Sequence, residues 1–280
     1  MGQFSVEDNT QPLSERIGHP VVVENRASVT GNVGVGAGVR APADGYTVTM
    51  ISNQNIVANL AEAQPTFSIA KDLEPVTLLA EYYTALLVKS SLPVTNMAEL
   101  IALIKSQPGK ITLGSGGIGS SGHVAMGLLT QKTGAEVLHV PYKGEGPLIA
   151  ALLGGEVDMA FITLSGAVAQ LKTGRVKGLG ITSAKRVAAL PDMPTIAETV
   201  PGFFHAAWLG MSVPIGTPRD HIAFLSKELT AILQTADVHQ TLTSRSYEII
   251  GSTPEQFRQK IQSETEVLGK LAKQLNLKNE

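Results

Sequence analysis

Short apolar runs alternate along the chain with segments of helical periodicity. Residues 21–23 (VVV), 46–51 (YTVTMI), 85–88 (ALLV), 110–113 (KITL), 137–140 (VLHV), 157–161 (VDMAF) and 178–182 (GLGIT) read as strands. Most are apolar at consecutive positions, the pattern of strands covered by helices on both faces, so the runs predict a largely parallel sheet. A further run, Ala206 to Pro214, reads as a strand returning to an earlier sheet. Trp208 is the one Trp in the chain, placed in the core by default and on a cleft wall in the sharper reading.

Helices fill the gaps. Asn96 with Glu99 three residues on predicts an N-cap, followed by the apolar stripe Leu100, Ile101 and Ile104 and a stop at Pro108-Gly109. Helices are expected over 122–132 and over 146–153, the second closed by Gly154-Gly155. Thr217 before Pro218 predicts an N-cap with Pro at the first helical position, for a helix running to about Thr235. Thr253 with Gln256 predicts a capping box for a C-terminal helix. The alternation of both element types gives an α/β fold.

The chain has 280 residues, 43% hydrophobic and 16% charged, a composition that folds into one large domain or two smaller ones. Lys and Arg total 22 against 24 Asp and Glu, and this near-balance argues against a general nucleic-acid binder. No apolar run approaches the length of a membrane span. Cysteine is absent, which removes disulfides, thiolate ligands and cysteine nucleophiles. The six histidines show no i, i+3 or i, i+4 pair, and neither a metal site nor a cofactor is expected.

Residues 114–123 (GSGGIGSSGH) concentrate the candidate chemistry. Gly114, Gly116 and Gly119 have the spacing of a dinucleotide fingerprint between a strand and a helix. The acid that should close the following strand is misplaced, because Glu136 stands at its start and residues 139–143 (HVPYK) at its end. A serine nucleophile fares no better. Ile118 lies two before Ser120 and His123 two after Ser121, so no G-x-S-x-G elbow exists, although Asp158 could orient a histidine. The remaining reading asks least: glycines and hydroxyls at a helix start present N–H groups to a carboxylate or phosphate, beside the alternative of simple capping. Ser52-Asn53-Gln54-Asn55 and Thr163-Leu164-Ser165 have the same character at strand ends, suggesting a shared cleft. A second glycine-rich stretch, residues 27–38, serves either helix packing or ligand contact.

VVVENR (21–26), RAPADGYT (40–47), SLPV (91–94), the 114–123 loop, HVPYKG (139–144), LLGGEVD (152–158), TSAKR to LPDMPTIAE (182–198) and GSTPEQF (251–257) stand in order at fitting spacing. Together they closely resemble the Bug family, solute receptors of tripartite tricarboxylate transporters, from about Leu13 onward. The resemblance implies a type II periplasmic-binding-protein fold: two α/β lobes, two crossover segments and a cleft, with lobe one at 1–90 and 208–280 and lobe two at 91–207. It implies a monomeric, non-catalytic receptor without a cofactor, holding a small mono- or dicarboxylate, aromatic ones included, for the membrane components of a transporter. Carried over by position, Gly117, Ser120 and Ser121 form the second-lobe carboxylate loop. Ser52 and Asn53 match the first-lobe loop, and Thr163 and Ser165 a second-lobe loop reaching the cleft.

The family pattern begins with a signal peptide, a strand and a P-G-G-x-x-D loop, then P-G-A-G-G after ENR. Residues 1–12 match none of the first three, and 27–31 (ASVTG) replace the last. The expectation is an N-terminally incomplete lobe one. The location is periplasmic by the resemblance, and cytoplasmic if Met1 is the start. The alternatives are a cytoplasmic sensor or enzyme that keeps the fold, a non-functional shortened copy and, behind these, an NAD-dependent enzyme.

Overall fold

The computed structural model describes residues 7–26, 31–62 and 64–274. Residues 1–6 and 27–30, on which part of the non-matching N-terminus (1–12) and part of the 27–38 glycine-rich stretch fall, lie outside the described residues. The chain runs α1 (Glu7–Ile17), α2 (Asn32–Val39), β1 (Thr49–Ser52), α3 (Asn53–Ala61), α4 (Ile69–Asp72), β2 (Leu73–Tyr82), β3 (Thr84–Lys89), α5 (Met97–Ser106), β4 (Thr112–Ser115) and α6 (Ser121–Thr133). It continues through β5 (Leu138–Pro141), α7 (Glu145–Gly154), β6 (Met159–Thr163), α8 (Leu164–Leu171), β7 (Val176–Ile181), β8 (Ala207–Pro214), α9 (Arg219–Leu233), α10 (Ala236–Ser244), β9 (Tyr247–Ile249) and α11 (Pro254–Gln274).

These elements form two compact units, Met1–Glu81 with Trp208–Glu280, and Tyr82–Ala207. The division falls earlier than the 90/91 boundary read from the sequence. β3 pairs with β6 and β7, so the ALLV run belongs to the second unit and not to the first.

The sheet of unit two has the order β5-β4-β6-β3-β7. β4 runs parallel to β5 and β6, while β3 is antiparallel to both its neighbours. The expectation of a parallel sheet is corrected to a mixed one in this unit. A strand apolar on both faces reports helices above and below it, which a central antiparallel strand also has. Alternation fixes the two faces. Leu86, Val88, Met159 and Phe161 join α5 and α6 in one core, and Ala85, Leu87, Ala160 and Ile162 join α7 and α8 in the other.

Unit one holds the order β1-β8-β2-β9, with β8 antiparallel to β1 from Thr49↔Ser212 to Ser52↔Leu209. Residues 208–214 therefore do return to the sheet opened earlier. The 21–23 run does not form a strand: its residues are irregular, Val22 is exposed, and the Val21 N–H donates to Ser14 Oγ at 2.9 Å. A β-branched run with no strand beside it gains nothing from its propensity. α1 lies against α9, burying Leu13, and Arg16 pairs with Glu228 at 2.7 Å.

The caps follow sequence chemistry with one shift. Asn96 Oδ1 accepts the Glu99 N–H at 2.9 Å, and Glu99 returns the contact by accepting from Thr95 N–H at 2.7 Å and Asn96 Nδ2 at 2.9 Å. Asn96→Ala is expected to cost about 1 kcal/mol, measured by urea unfolding, and a change below about 0.3 kcal/mol would remove the cap from the stability account. Thr253 and Gln256 form the expected reciprocal pair at 2.9 and 3.2 Å. Thr217 is not the cap of α9. Its hydroxyl donates to the Pro214 carbonyl at 2.8 Å, and Pro218 takes the cap position.

Candidate functional site

In unit two the chain leaves β4 through α6 on one face towards β5, then returns through α7 on the other face to β6. The connections leaving β4 and β6 thus diverge at their carboxyl ends, the switch point where open α/β sheets bind ligands. The 114–123 loop closes β4, and Thr163 to Ser165 close β6.

The loop is built around buried groups. Gly117 has φ 124° and Gly119 φ 79°, both in the region that favours glycine. A Cβ on Gly117 would also stand 3.2 Å from the Tyr142 carbonyl. The Gly117 N–H donates to Ser115 Oγ at 3.2 Å, and its carbonyl accepts the Ser120 N–H at 3.1 Å. Ser120 is the N-cap of α6, its hydroxyl accepting the His123 N–H at 3.4 Å. The first-turn N–H groups of Ser121 and Gly122 have no intrahelical acceptor by the geometry of a helix start.

His123 locks the loop from beneath. It is 3% exposed, and its Nδ1 accepts the Gly119 N–H at 3.0 Å, which makes it the neutral ring protonated at Nε2. It stacks on His139 with centroids 4.1 Å apart and 17° between planes. His139 Nε2 lies 2.6 Å from Ser115 Oγ. Burial first, and the neighbouring His139 second, push His123 down to about 3, and burial lowers His139 as well.

Ser121 Oγ lies 3.0 Å from His205 Nε2, on the segment entering β8. Thr163 caps α8, its hydroxyl accepting the Gly166 N–H at 3.4 Å. That hydroxyl donates to Glu145 Oε1 at 2.8 Å, and the Thr163 N–H donates to Glu145 Oε2 at 3.2 Å. Ser165 Oγ is 3.4 Å from Thr163 Oγ1. Gly117, Ser120, Ser121, Thr163 and Ser165 thus gather at the carboxyl ends of β4 and β6. Ser52 and Asn53 belong to unit one. Ser52 caps α3, its N–H and hydroxyl both donating to Asn55 Oδ1 at 2.8 and 3.0 Å, and Asn53 is buried.

Sequence reasoning missed Ser115, His139, His205 and Glu145. The two histidines and the serine showed no catalytic or ligating spacing, and Glu145 stood one residue before the expected helix start at 146. Asp158 orients no histidine. Its carboxylate accepts from Thr112 N–H and Oγ1, each at 2.8 Å, and pairs with Lys89 at 2.6 Å. Burial opposes that charge, yet Lys89 and Thr112 together hold the Asp158 carboxyl below its ordinary range. Among the described residues no cluster of three metal-binding side chains exists, and no helix is long and apolar enough to cross a membrane.

The match to known proteins covers both units. The family model described as the tripartite tricarboxylate transporter family receptor matches residues 6–277. The UPF0065 protein in the tcbD-tcbE intergenic region of Pseudomonas sp. strain P51 is 34% identical over 94% of this chain and 79% of its own. BugT of Bordetella pertussis is 30% identical over 88% and 76%. The solved structure of R. palustris Rpa4515 with adipate aligns with TM-score 0.83 at 32% identity, covering 94% of this chain and 89% of that one. MatC from Rhodopseudomonas palustris, with bound malate, aligns with TM-score 0.82 at 27% identity over 95% and 92%. The structural match carries the two-sheet α/β architecture of periplasmic binding proteins, and the chain belongs to the tripartite tricarboxylate transporter receptor family.

Proposed function

We propose that the chain is a periplasmic solute receptor that captures a small carboxylate and delivers it, as a monomer and without catalysis, to the membrane components of a tripartite transporter. The observation that carries this reading is the start of α6. There the first-turn N–H groups of Ser121 and Gly122 meet the hydroxyls of Ser120 and Ser121 around a loop held by His123. The partial positive charge of a helix start favours an anion at that point without a cationic side chain. Ser165 adds a hydroxyl at the neighbouring strand end, beside Thr163, whose own hydroxyl proton goes to Glu145. The relatives solved with adipate and malate support a carboxylate as the ligand. Ser52 and Asn53 supply a polar loop of the same character in unit one.

The test is a thermal-shift panel of mono-, di- and aromatic carboxylates, with NAD as a comparison. A ligand at 100 times its Kd stabilises the folded state by about 2.7 kcal/mol. Ser120→Ala combined with Ser121→Ala is expected to weaken binding about tenfold or more, from two lost hydrogen bonds. Ser120 also caps α6, so the readout is the ligand-induced shift and not the midpoint itself. No shift with any carboxylate at millimolar concentration, or a shift with NAD alone, would refute the reading.

A further inference from the structure

The starts of α7 and α8 are already served by the chain's own carboxylate. Glu145 stands at the first position of α7, and both its oxygens accept from Thr163, one from the N–H at 3.2 Å and one from the hydroxyl at 2.8 Å. It is built into this position: a Cβ on Gly166, in the first turn of α8, would stand 2.5 Å from Glu145 Oε1. It is also tied to the carboxylate loop. The N–H of Gly144 donates to the Gly116 carbonyl at 3.1 Å, and a Cβ on Gly116 would stand 3.8 Å from the Glu145 nitrogen. The opposite side of that loop touches β6, since a Cβ on Gly122 would lie 3.2 Å from the Phe161 carbonyl.

Resting on the carboxylate reading above, we propose that Glu145 is a specificity-determining residue of this receptor. Its carboxylate takes both donors of Thr163 at the start of α8, so the carboxylate position that unit two offers a ligand is the start of α6, with a hydrogen-bond acceptor one residue past the Gly144–Gly116 contact. A carboxylate has about four lone-pair sites, and Thr163 uses two of them. A ligand with a hydroxyl or ammonium group close to its carboxylate can donate to the remaining ones. A ligand with a second carboxylate close to the first meets a like charge in a partly desolvated site. The ligand class is therefore a carboxylate with a neighbouring donor, a hydroxy acid in the simplest case, in preference to a short dicarboxylate.

Calorimetric titration of the full chain with butyrate, 3-hydroxybutyrate and succinate, alongside the carboxylate panel, tests this. Glu145→Gln keeps an oxygen acceptor for Thr163 and removes the charge. Wild type is expected to prefer 3-hydroxybutyrate to succinate by about tenfold, and Glu145→Gln to tighten succinate about tenfold while leaving butyrate within about twofold. If Glu145→Gln fails to fold, Glu145→Ser, which keeps a polar residue at the helix start, carries the same comparison. Wild type binding succinate as tightly as 3-hydroxybutyrate, or an unchanged succinate-to-butyrate ratio in the variant, overturns the role of Glu145 and leaves the carboxylate reading standing. Absence of binding by every acid of the panel in wild type and variants overturns both.

Discussion

Replacing Trp208 with alanine is expected to cost about 3–5 kcal/mol of stability, a large part of the roughly 5–15 kcal/mol by which a typical domain is folded. The indole is fully buried on β8, edge-on to Phe257 with centroids 5.2 Å apart and an interplanar angle of 90°. The backbone makes room for this pair at Gly210, where a Cβ would collide with the Phe257 ring. The loss has a second component. Trp208 Nε1–H donates to Glu264 Oε2 at 2.7 Å, and Glu264 otherwise relies on Lys260 at 3.3 Å, an ammonium that Glu81 holds more closely at 2.6 Å. Burial raises the Glu264 carboxyl against the pull of Lys260 and the indole, so the indole N–H is one of few groups that stabilise its charge. Trp208→Phe separates the two parts. It keeps most of the volume, removes the donor, and is expected to cost about 1–3 kcal/mol. Urea unfolding followed by circular dichroism reads both variants. A loss below about 1 kcal/mol for Trp208→Ala would contradict this account of the core of unit one.

Periodicity and capping chemistry made much of the fold legible. Asn96, Thr253 and the glycine after α7 act locally, within one turn of their own helix, so the sequence carries them whole. Strand direction is not local. The ALLV run looks the same whether its neighbours run with it or against it, and only pairing with β6 and β7 reveals that β3 is antiparallel and lies in unit two. The 21–23 run shows the converse, because strand propensity without a neighbour yields no strand. For the site, glycines and a capping hydroxyl at a strand-to-helix turn were readable in Gly117 and Ser120. The groups that support them were not. His139 meets Ser115 across 24 residues, Glu145 meets Thr163 across 18, and His205 meets Ser121 across 84. Contacts over such intervals carry no spacing motif, and only the folded sheet brings them together.

Acidification from about pH 6.5 to about pH 5 is expected to weaken the fold of unit two, with His123 alone contributing on the order of 2 kcal/mol. In the folded chain His123 is buried and its Nδ1 is committed to the Gly119 N–H, so a proton there breaks that bond and puts a charge against the stacked His139. Burial and His139 accordingly push it down to about 3, while the unfolded chain binds a proton near the ordinary histidine value, about 6.5. A group lowered in this way contributes its full stability above the unfolded value. That stability is lost as the pH falls from there towards the folded value, because only the unfolded state takes up the proton. His139, also lowered by burial, acts in the same direction. The Glu198 carboxyl, held at about 2 by Arg186 and the Thr195 N–H, stays ionised throughout this window. Glu264, raised by burial, works in the opposite sense and is common to all variants compared. His123→Gln can still accept from Gly119 and does not titrate, so its unfolding free energy is expected to fall less steeply over the same interval. Urea titrations at about pH 6.5, 5.75 and 5 give the comparison, and equal slopes for wild type and His123→Gln would show that His123 does not couple the 114–123 loop to pH.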